Sequence, residues 1–542
     1  MADLITINVD GRDVQVPPNI QLIEGLRQFA KVETPAFCYH QDLTVAGNCR
    51  ICLVETEGPR GWALGISCHM KTSPGLKVRT QVSSEKIVKL RKGVMEFLLV
   101  NHPLDCPICD KAGECTLQEH YMGQGRHESR LDDQVGKNYK GGADHRFIDT
   151  KGASRGGKKI DLGPTVILDQ ERCILCSRCV RFMDEVAKKP QLAIAGRGDH
   201  AYLTTFPGKD LDHGYDLNVT DICPVGALTG KHFRFQQRVW MLKSVESIDP
   251  SDSLGANLTI EYNVGQENGK VWRLMPRRNA AVNKSWISNR TRMLYQDLAK
   301  DRLSDGLIGG KDATLADARA AVAAALAGGK RIALVASGHQ TLEDNAALLA
   351  LGESLGGRAE VFAGSWLAVG QADGIAQSGD PVGNRKGIEL LGIAGTLDGL
   401  AQRAAEFDVL VTVGHDLWGA DAAKAAALEK IPTRIALSAW TNATTAKSSI
   451  ALGIRAWAEI RGTMVNCQGR IQILNACPVV PNQDLEPAWR ELADLGKLGW
   501  ASELQGFKAA QARIPALAAL SYRAIGPQGA VLALAVPAAV GA

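Results

Sequence analysis

The chain opens with a regular alternation of apolar and polar residues. The alternation covers residues 4–16, on both sides of Asp10-Gly11, a dipeptide that suits a tight two-residue turn. Apolar residues then recur at helical spacing from Leu22 to Ala30, and Asn19 is a candidate cap for that helix. The pattern therefore predicts a β-hairpin followed by a short helix.

Two further patterns organise the rest of the chain. Residues 84–101 predict a helix with one apolar face, formed by Ile87, Leu90, Val94, Phe97 and Leu98. Beyond residue 300, apolar runs at 332–336, 409–413 and 435–437 alternate with Ala-rich helical stretches. That alternation is typical of parallel strands with crossover helices, so a doubly wound α/β domain is predicted for the second half.

Composition limits the class of protein. A chain of 542 residues predicts about three to five domains at roughly 100 to 200 residues each. A net charge of only +4 gives no electrostatic footprint for nucleic acid and no polybasic membrane anchor. No apolar run reaches membrane-spanning length, and the N-terminus resembles neither a secretory signal nor a transit peptide, so we expect a cytosolic location.

Cysteine usage changes this picture. Eleven of the thirteen cysteines lie before residue 224, and in a reducing compartment such a concentration favours metal ligation over disulfides. The first set has the spacing Cys-x10-Cys-x2-Cys-x15-Cys and consists of Cys38, Cys49, Cys52 and Cys68. Thiolates are the soft ligands that iron–sulfur clusters require, and this set suits a 2Fe–2S cluster. A zinc site is the alternative, although zinc sites usually show two CxxC pairs.

The second set lies in the string HPLDCPICDKAGEC and consists of His102, Cys106, Cys109 and Cys115. Three cysteines within ten residues need a fourth ligand to close a 4Fe–4S cluster, and His102 is near enough in sequence. Spacing alone leaves His102 open between a ligand and an ordinary packed or surface residue.

The third set combines the run CILCSRC with a distant Cys-Pro and consists of Cys173, Cys176, Cys179 and Cys223. This is the bacterial ferredoxin pattern for a 4Fe–4S cluster. Three cysteines at successive x2 gaps fit zinc poorly, because its four tetrahedral ligands are more easily drawn from two separate loops. Cys467 and Cys477 have no partners at ligand spacing, and we expect both to be packed apolar residues.

With these sets in place, the chain resembles the large iron–sulfur subunit of bacterial complex I and its mitochondrial counterpart. The strings that carry the resemblance include AGNCRICLVE, GVMEFLLVNHPLDCPICDKAGEC, RCILCSRCVRF, DICPVGAL, WISNRTR and GTMVNCQGRIQ. They extend over most of the chain and are densest before residue 235.

The resemblance implies that the first set holds one 2Fe–2S cluster and that the other two sets, His102 included, each hold one 4Fe–4S cluster. It implies electron transfer within NADH:quinone oxidoreductase, without a catalytic residue, FMN, NAD or molybdopterin on this chain. The implied partners are an FMN- and NADH-binding iron–sulfur subunit, a ferredoxin-like two-cluster subunit and other peripheral-arm subunits. The implied location is the cytoplasmic side of the bacterial inner membrane, peripheral and without a membrane span.

The expected fold is multidomain, α+β and α/β. Six segments are predicted: a 2Fe–2S ferredoxin (β-grasp) domain at 1–80, a helix with the histidine- and cysteine-ligated 4Fe–4S segment at 81–135, a Gly/Lys-rich linker at 136–160, a bacterial-type 4Fe–4S ferredoxin domain at 161–235, a cluster-free 4Fe–4S molybdopterin-type domain at 236–300, and a molybdopterin-oxidoreductase-like α/β scaffold with an apolar tail at 301–542. The fourth cluster of some bacterial relatives is not expected, since no cysteine lies between 224 and 466.

Other iron–sulfur proteins begin with similar modules. The alternatives are a diaphorase or iron–sulfur subunit of an NAD-linked hydrogenase, an iron hydrogenase, and a molybdopterin formate dehydrogenase. The two self-sufficient enzymes need additional cysteine ligands in the second half, where only Cys467 and Cys477 occur. A zinc-stabilised scaffold without a redox role is a third class, and iron content distinguishes it.

Overall fold

The structure is a computed structural model that describes residues 3–100, 102–126, 157–265 and 269–534. It divides into two compact units, residues 1–241 and 242–542. Most of the predicted linker at 136–160, and the end of the apolar tail, lie outside the described residues. The six predicted segment boundaries are finer than this division and stay predictions.

The first unit begins with a five-stranded sheet in the order β2-β1-β5-β3-β4. Its strands are β1 (Ile5–Val9), β2 (Arg12–Val16), β3 (Leu53–Gly58), β4 (Gly61–Ile66) and β5 (Lys77–Arg79). The predicted hairpin is confirmed: β1 and β2 pair antiparallel, with φ of 52° at Asp10 and 84° at Gly11. Two positive φ values are what the favoured two-residue turn requires.

The predicted short helix is present as α1 (Leu22–Glu24), which continues into a wider helical turn at Gly25–Phe29. The predicted cap is wrong, because Gln21 occupies the capping position and Asn19 has a φ of 61°. Asn19 tolerates this left-handed conformation better than most residues, so it serves the turn before the helix. Leu22 and Leu26 are buried against the sheet with Ile7 and Val54.

The second predicted helix is confirmed as α2 (Glu85–Leu99), where the Ser84 hydroxyl accepts a hydrogen bond from the backbone of Ile87. Its predicted face is only partly right, because Ile87 is buried but Leu90, Val94 and Leu98 are half-buried. The buried positions are Ile87, Arg91 and Met95, whereas Phe97 is 81% exposed. Arg91 is buried because its guanidinium donates to the Leu53 carbonyl, a partner that helical periodicity alone does not reveal.

Small elements fill the rest of the first unit. The helices are α3 (Thr116–Gln124), α4 (Arg178–Glu185) and α5 (Asn218–Ile222). The strands are β6 (Ile160–Asp161), β7 (Val166–Leu168), β8 (Leu192–Ala195), β9 (Tyr202–Thr205) and β10 (Leu228–Gly230). They form a β10-β7-β6 sheet and a β8-β9 hairpin, so this part of the chain is mainly loops fixed by short elements.

The second unit is built on an eight-stranded sheet in the order β15-β14-β21-β20-β19-β16-β17-β18. Its strands are β14 (Gly306–Ile308), β15 (Lys311–Ala313), β16 (Ile332–Val335), β17 (Ala359–Ala363), β18 (Gly395–Thr396), β19 (Val409–Val413), β20 (Thr433–Ser438) and β21 (Ile450–Gly453). The six strands from β21 to β18 run parallel. The predicted doubly wound domain is therefore confirmed, with all three predicted apolar runs as central strands.

Helices pack against the sheets of the second unit. They are α6 (Asn289–Asp297), α7 (Leu315–Leu326), α8 (Leu342–Ser354), α9 (Arg385–Leu390), α10 (Leu397–Gln402), α11 (Leu417–Ala420), α12 (Ala422–Ala425), α13 (Ala443–Lys447), α14 (Ala488–Leu495), α15 (Glu503–Arg513) and α16 (Tyr522–Ile525). The central helix α8 is buried on almost every side, so its sequence is apolar around most of its circumference.

Two antiparallel sheets accompany the large sheet. One is β11 (Lys243–Ile248), β12 (Asn257–Asn263) and β13 (Lys270–Pro276), and the other is β22 (Gly462–Val465), β23 (Arg470–Leu474) and β24 (Ala530–Val531). Leu258, Ile260 and Leu274 of the first sheet form an apolar cluster with Cys477. Within the described residues, no helix has both the length and the apolar character needed to cross a bilayer.

Candidate iron–sulfur sites

The first predicted ligand set is brought together at one end of the five-stranded sheet. Cys38 lies in the loop after α1, Cys49 and Cys52 in the loop before β3, and Cys68 just after β4. Hydrogen bonds from the thiols of Cys49 and Cys68 hold the pKa of Cys38 well below its usual range. A hydrogen bond from Cys68 lowers the pKa of Cys52 to about 6. The four sulfurs are therefore direct neighbours.

The loops of this set are fixed by their own backbone. Ser67 donates to the carbonyl of Cys52 from its backbone nitrogen at 3.1 Å and from its hydroxyl at 2.9 Å. This pairing connects the ends of β3 and β4, where Cys52 and Cys68 lie. Cys38, Cys52 and Cys68 are almost completely buried. Hydrogen bonds link the four thiols in the order Cys49, Cys38, Cys68, Cys52, and Cys49 is half-buried. Four linked thiols fit a 2Fe–2S cluster, which needs two thiolates on each iron.

The second set lies on a tight loop and at the start of a helix. Cys106 begins a single 3-10 turn, Cys109 ends it, and Cys115 directly precedes α3. Cys109 and Cys115 are buried while Cys106 is exposed. Burial raises the pKa of Cys115, and the charges of Cys109 and Cys106 add to that rise. The three thiols therefore lie within electrostatic reach of one another.

His102 is half-buried at the entrance to this loop. Burial lowers its pKa to about 4, with the positive charges of Arg172 and Lys158 nearby. The imidazole is therefore neutral at physiological pH, and a neutral ring can offer a nitrogen lone pair to a metal. Burial raises the pKa of Cys109, and the charge of the same Arg172 opposes that rise, so His102 and Cys109 share one electrostatic environment.

The third set surrounds a small cavity in the first unit. All four of its cysteines line this cavity together with apolar residues; the lining includes Cys173, Cys176, Cys179, Cys223, Ile194, Leu203, Val225 and Leu228. Ser177 adopts a φ of 63° in the middle of the CILCSRC run, which turns the backbone around the cavity. A sulfur-lined cavity with apolar walls fits a 4Fe–4S cluster.

Across the described ranges, no group of three or more His, Cys, Asp or Glu side chains is arranged as the ligands of one metal ion would be. The protein ligands of a 4Fe–4S cluster bind different iron atoms, so they stand further apart than the ligands of a single ion. In a tetrahedral zinc site, by comparison, four ligand atoms lie about 2.0–2.3 Å from one ion.

Burial has a chemical consequence for these thiols. It raises the pKa of Cys115 to about 12 and that of Cys176 to about 11, and it raises the pKa of Cys179 well above its usual value. Without a metal these side chains stay protonated at neutral pH. Iron must therefore displace their protons, so we expect ligation to be coupled to proton release.

The second and third sets are joined by the segment Cys223–Gly226. The Sγ of Cys115 lies 3.7 Å from the carbonyl oxygen of Pro224, the residue after Cys223. The same carbonyl accepts a hydrogen bond of 3.0 Å from the backbone of Thr116. Gly226 lies so close to Cys109 that a Cβ at this position would overlap its Sγ. The segment that begins at a ligand of the third set therefore contacts two ligands of the second.

The first and third sets are joined by two arginines and one asparagine. Arg178 donates to the carbonyls of Tyr39 and Ile222, which are the neighbours of Cys38 and Cys223. Arg181 donates to the carbonyl of Cys38 itself. Asn48 donates from its side chain to the carbonyl of Leu175 at 3.3 Å. The third set is thus linked to both of the others.

Several residues of this region were not predicted as functional, namely Arg172, Arg178, Arg181, Gly226 and His120. Arg172 pairs with Asp105 and Asp169 beside the second set. His120 of α3 accepts a hydrogen bond from the backbone of Ala36, close to the first set. The sequence shows that the arginines lie inside or next to the CILCSRC motif. It does not show their hydrogen-bond partners, which lie far away along the chain.

The second unit has a separate cavity of about 610 Å³ at the carboxyl ends of the central strands. Its lining includes His339, Gln340, His415, Asp416 and Trp440. A ring nitrogen of His415 lies 2.9 Å from the Ala336 carbonyl. Asp416 caps α11 and accepts a hydrogen bond from the backbone of Thr444. Asp416 is therefore a helix-capping residue, and His415 has a structural backbone partner.

The two remaining cysteines behave differently from each other. Cys477 is 1% exposed and packs in an apolar cluster, as predicted. Cys467 is exposed, so the prediction of a packed apolar residue is wrong there. It lies in the turn between β22 and β23, where its backbone nitrogen donates to the Ser253 carbonyl at 2.7 Å.

Comparison with protein families finds four matches along the first 296 residues. They are a "2Fe-2S iron-sulfur cluster binding domain" at 2–83, an "NADH-ubiquinone oxidoreductase-G iron-sulfur binding region" at 91–130, an "NADH-quinone oxidoreductase subunit 3, ferredoxin-like domain" at 163–229 and an "NADH-ubiquinone oxidoreductase NDSU1/NuoG-like, 4Fe-4S domain" at 242–296. The last segment contains no cysteine.

Individual proteins give the same result. The mitochondrial "NADH dehydrogenase [ubiquinone] iron-sulfur protein 1" of Solanum tuberosum is 42% identical over 311 residues, which is 57% of this chain and 38% of that protein. The "NADH-ubiquinone oxidoreductase 75 kDa subunit" of Reclinomonas americana is 40% identical over 56% of this chain and 40% of its own length. The match thus spans about two fifths of these relatives.

Among solved structures, an NAD+-reducing [NiFe]-hydrogenase in the H2-reduced state matches 43% of this chain and 91% of that chain. The two are 29% identical, and the TM-score is 0.33.

The close approach of Gly226 to Cys109 gives a direct test of the second set. We expect Gly226→Ala to push the Cys109 thiol out of position and to lower the bound iron by about four atoms, the content of one 4Fe–4S cluster. The measurement is iron per chain after purification with the clusters intact. Gly214→Ala is the matched control, because a Cβ at Gly214 meets no atom within 4 Å. Full iron content in Gly226→Ala would contradict the assignment of Cys109.

Proposed function

Because this chain is a relative of the large iron–sulfur subunit of NADH:quinone oxidoreductase, we propose that it conducts electrons within such an enzyme. Electrons that originate from NADH would enter it from the FMN-bearing subunit and leave it toward quinone. The observation that carries the proposal is that three cysteine-based sites lie in one unit and are joined to one another through residues next to their ligands.

We propose one cluster for each ligand set. The first set would hold a 2Fe–2S cluster, and the second and third sets would each hold a 4Fe–4S cluster. The hydrogen bonds that link its four thiols pairwise support the first assignment. The sulfur-lined cavity supports the third. The neutral imidazole of His102, which shares the electrostatic influence of Arg172 with the buried Cys109, supports the second.

The links between the sets support an order of transfer that differs from their order in sequence. Arg178 and Arg181 connect the third set to Cys38 of the first set. The segment from Cys223 to Gly226 connects the third set to Cys109 and Cys115 of the second set. An electron that enters at the 2Fe–2S cluster would therefore pass to the third set and leave from the second.

The surroundings of the second set support its role as the exit. Cys106 is exposed, and so are Leu104 and Ile108 beside it, by 63% and 61%. Apolar surface next to an accessible ligand suits the docking of another redox protein. We propose that a ferredoxin-like two-cluster subunit docks there, that the FMN subunit docks near the first set, and that the assembly belongs to a peripheral arm on the cytoplasmic side of the bacterial inner membrane.

The second unit is proposed to be a redox-silent scaffold. A dinucleotide site of Rossmann type needs a G-x-G-x-x-G turn after a strand, and the turns after β16 and β19 lack it. At the second turn, His415 and Asp416 are engaged in backbone contacts and helix capping. We therefore place neither NADH nor FMN nor molybdopterin on this chain.

Iron content and dehydrogenase activity test the function together. The purified chain with its clusters intact is expected to contain about ten iron atoms, two in the first site and four in each of the others. It is expected not to oxidise NADH with an artificial acceptor until the FMN-bearing subunit is added. Stoichiometric zinc in place of iron, or turnover and bound flavin in the isolated chain, would overturn the proposal.

A substitution at His102 tests whether this residue is a cluster ligand, which cysteine spacing alone does not decide. His102→Cys is expected to keep a 4Fe–4S cluster but to lower its midpoint potential, because a charged thiolate replaces a neutral imidazole. The measurement is a redox titration followed by low-temperature EPR. His232→Cys serves as the control, since it is a half-buried histidine of the same unit that no ligand set includes. An unchanged spectrum and potential in His102→Cys would show that His102 is not a ligand.

A further inference from the structure

Arg178 occupies an unusual position between two of the sites. It lies between Cys176 and Cys179 in sequence, at the start of α4. Its guanidinium donates to the carbonyl of Ile222 at 3.1 Å and to that of Tyr39 at 2.5 Å. Tyr39 follows Cys38 of the first set, and Ile222 precedes Cys223 of the third. One side chain therefore ties together the backbones of two ligand loops that are far apart along the chain.

The positive charge of Arg178 has no carboxylate partner among the described residues. Its hydrogen-bond acceptors are backbone carbonyls, and its Nε is shielded from solvent without a partner. Arg172, which also lies beside a ligand set, pairs with Asp105 and Asp169. Arg178 is half-buried, and removing even part of a cation from water without a compensating anion is unfavourable, so its position needs another explanation.

The surroundings of Arg178 indicate where the compensating charge belongs. The residue lines the cavity that the four cysteines of the third set surround. Burial lowers the pKa of Arg178, and the charges of Cys176, Cys223, Cys49 and Cys38 act in the opposite direction. These four cysteines come from two different ligand sets. A cluster held by thiolates is anionic, so two anionic groups would flank this one cation.

We propose that Arg178 is a shared countercharge of the first and third clusters, which raises the midpoint potential of both while holding their ligand loops together. The inference rests on the proposed function, since it presumes that both sets hold clusters. Arg178 is a positioning residue and not a ligand. Reduction adds negative charge to a cluster, and a nearby permanent cation stabilises the reduced form more than the oxidised one.

The second cluster provides an internal reference. Its surroundings include Arg172 and Lys158, which form ion pairs with Asp105, and the structure gives no contact between Arg178 and its ligands among the described residues. Removing the charge at position 178 should therefore leave the midpoint potential of the second cluster unchanged. A general loosening of the fold would not select two clusters out of three.

The test is an EPR redox titration of the chain with its clusters intact. In Arg178→Gln we expect the one-electron reduction equilibrium of the first and third clusters to become at least tenfold less favourable, a downward shift of about 59 mV. The reduction equilibrium of the second cluster should stay within threefold of the wild type. Arg178→Lys keeps the charge and should keep all three equilibria within threefold. Lys189→Gln removes a surface charge of the same unit and should shift none of them.

Each outcome decides the matter. Unchanged potentials in Arg178→Gln, or a shift of only one of the two clusters, would overturn the shared role. If Arg178→Gln does not retain its clusters, Arg178→Lys decides: retained potentials support the role of the charge, and a tenfold less favourable reduction or loss of clusters rejects it. The cluster content of the wild-type chain tests the proposed function separately from the variants. Three clusters would support that function, and their absence would reject it.

Discussion

The second and third sets depend on one electrostatic constraint: a buried thiol that no neighbouring thiol stabilises through a hydrogen bond carries charge only when a cation replaces its proton. Burial raises the pKa of Cys115, Cys176 and Cys179 far above neutrality. The loops around them contain little regular structure. Such loops are held in place by short strands, by neighbouring helices and, as we propose, by the clusters themselves.

The same constraint explains the distribution of arginine. Cations next to the ligand loops either form ion pairs, as Arg172 does with Asp105, or donate to backbone carbonyls beside a ligand, as Arg178 and Arg181 do. The carbonyl contacts connect loops that are distant along the chain, while the charges lie near the sulfurs. The same few arginines therefore fix the positions of the ligand loops and set the electrostatic environment of their sulfurs. The second unit has a different character, because its parallel sheet is stabilised by a continuous apolar core.

The sequence predicted those features that depend on local periodicity or on ligand spacing. The hairpin at Asp10-Gly11 and the central strands are such features, because alternation and apolar runs follow directly from burial. The buried face of α2 could not be predicted in this way. Arg91 is buried there because the Leu53 carbonyl of a distant strand accepts from it, which no helical pattern encodes. Asn19 fits both a helix cap and a left-handed turn, and only the tertiary structure decides between them.

In the candidate sites, too, some features follow from local sequence and others depend on contacts between distant segments. Spacing was enough to identify the three cysteine sets, but it carries no information on their order in space. The spatial order depends on contacts such as Gly226 with Cys109 and Arg178 with Tyr39, which join segments that are remote from each other in sequence.

We propose that the third set lies between the other two and that each set holds one cluster. Anomalous X-ray scattering from iron, in crystals of the chain with its clusters intact, locates each group of iron atoms and tests this arrangement. We predict three separate groups of iron, with the group at Cys173, Cys176, Cys179 and Cys223 between the groups at the first and second sets. Single metal ions at these positions, or the second set's iron between the other two, would contradict it.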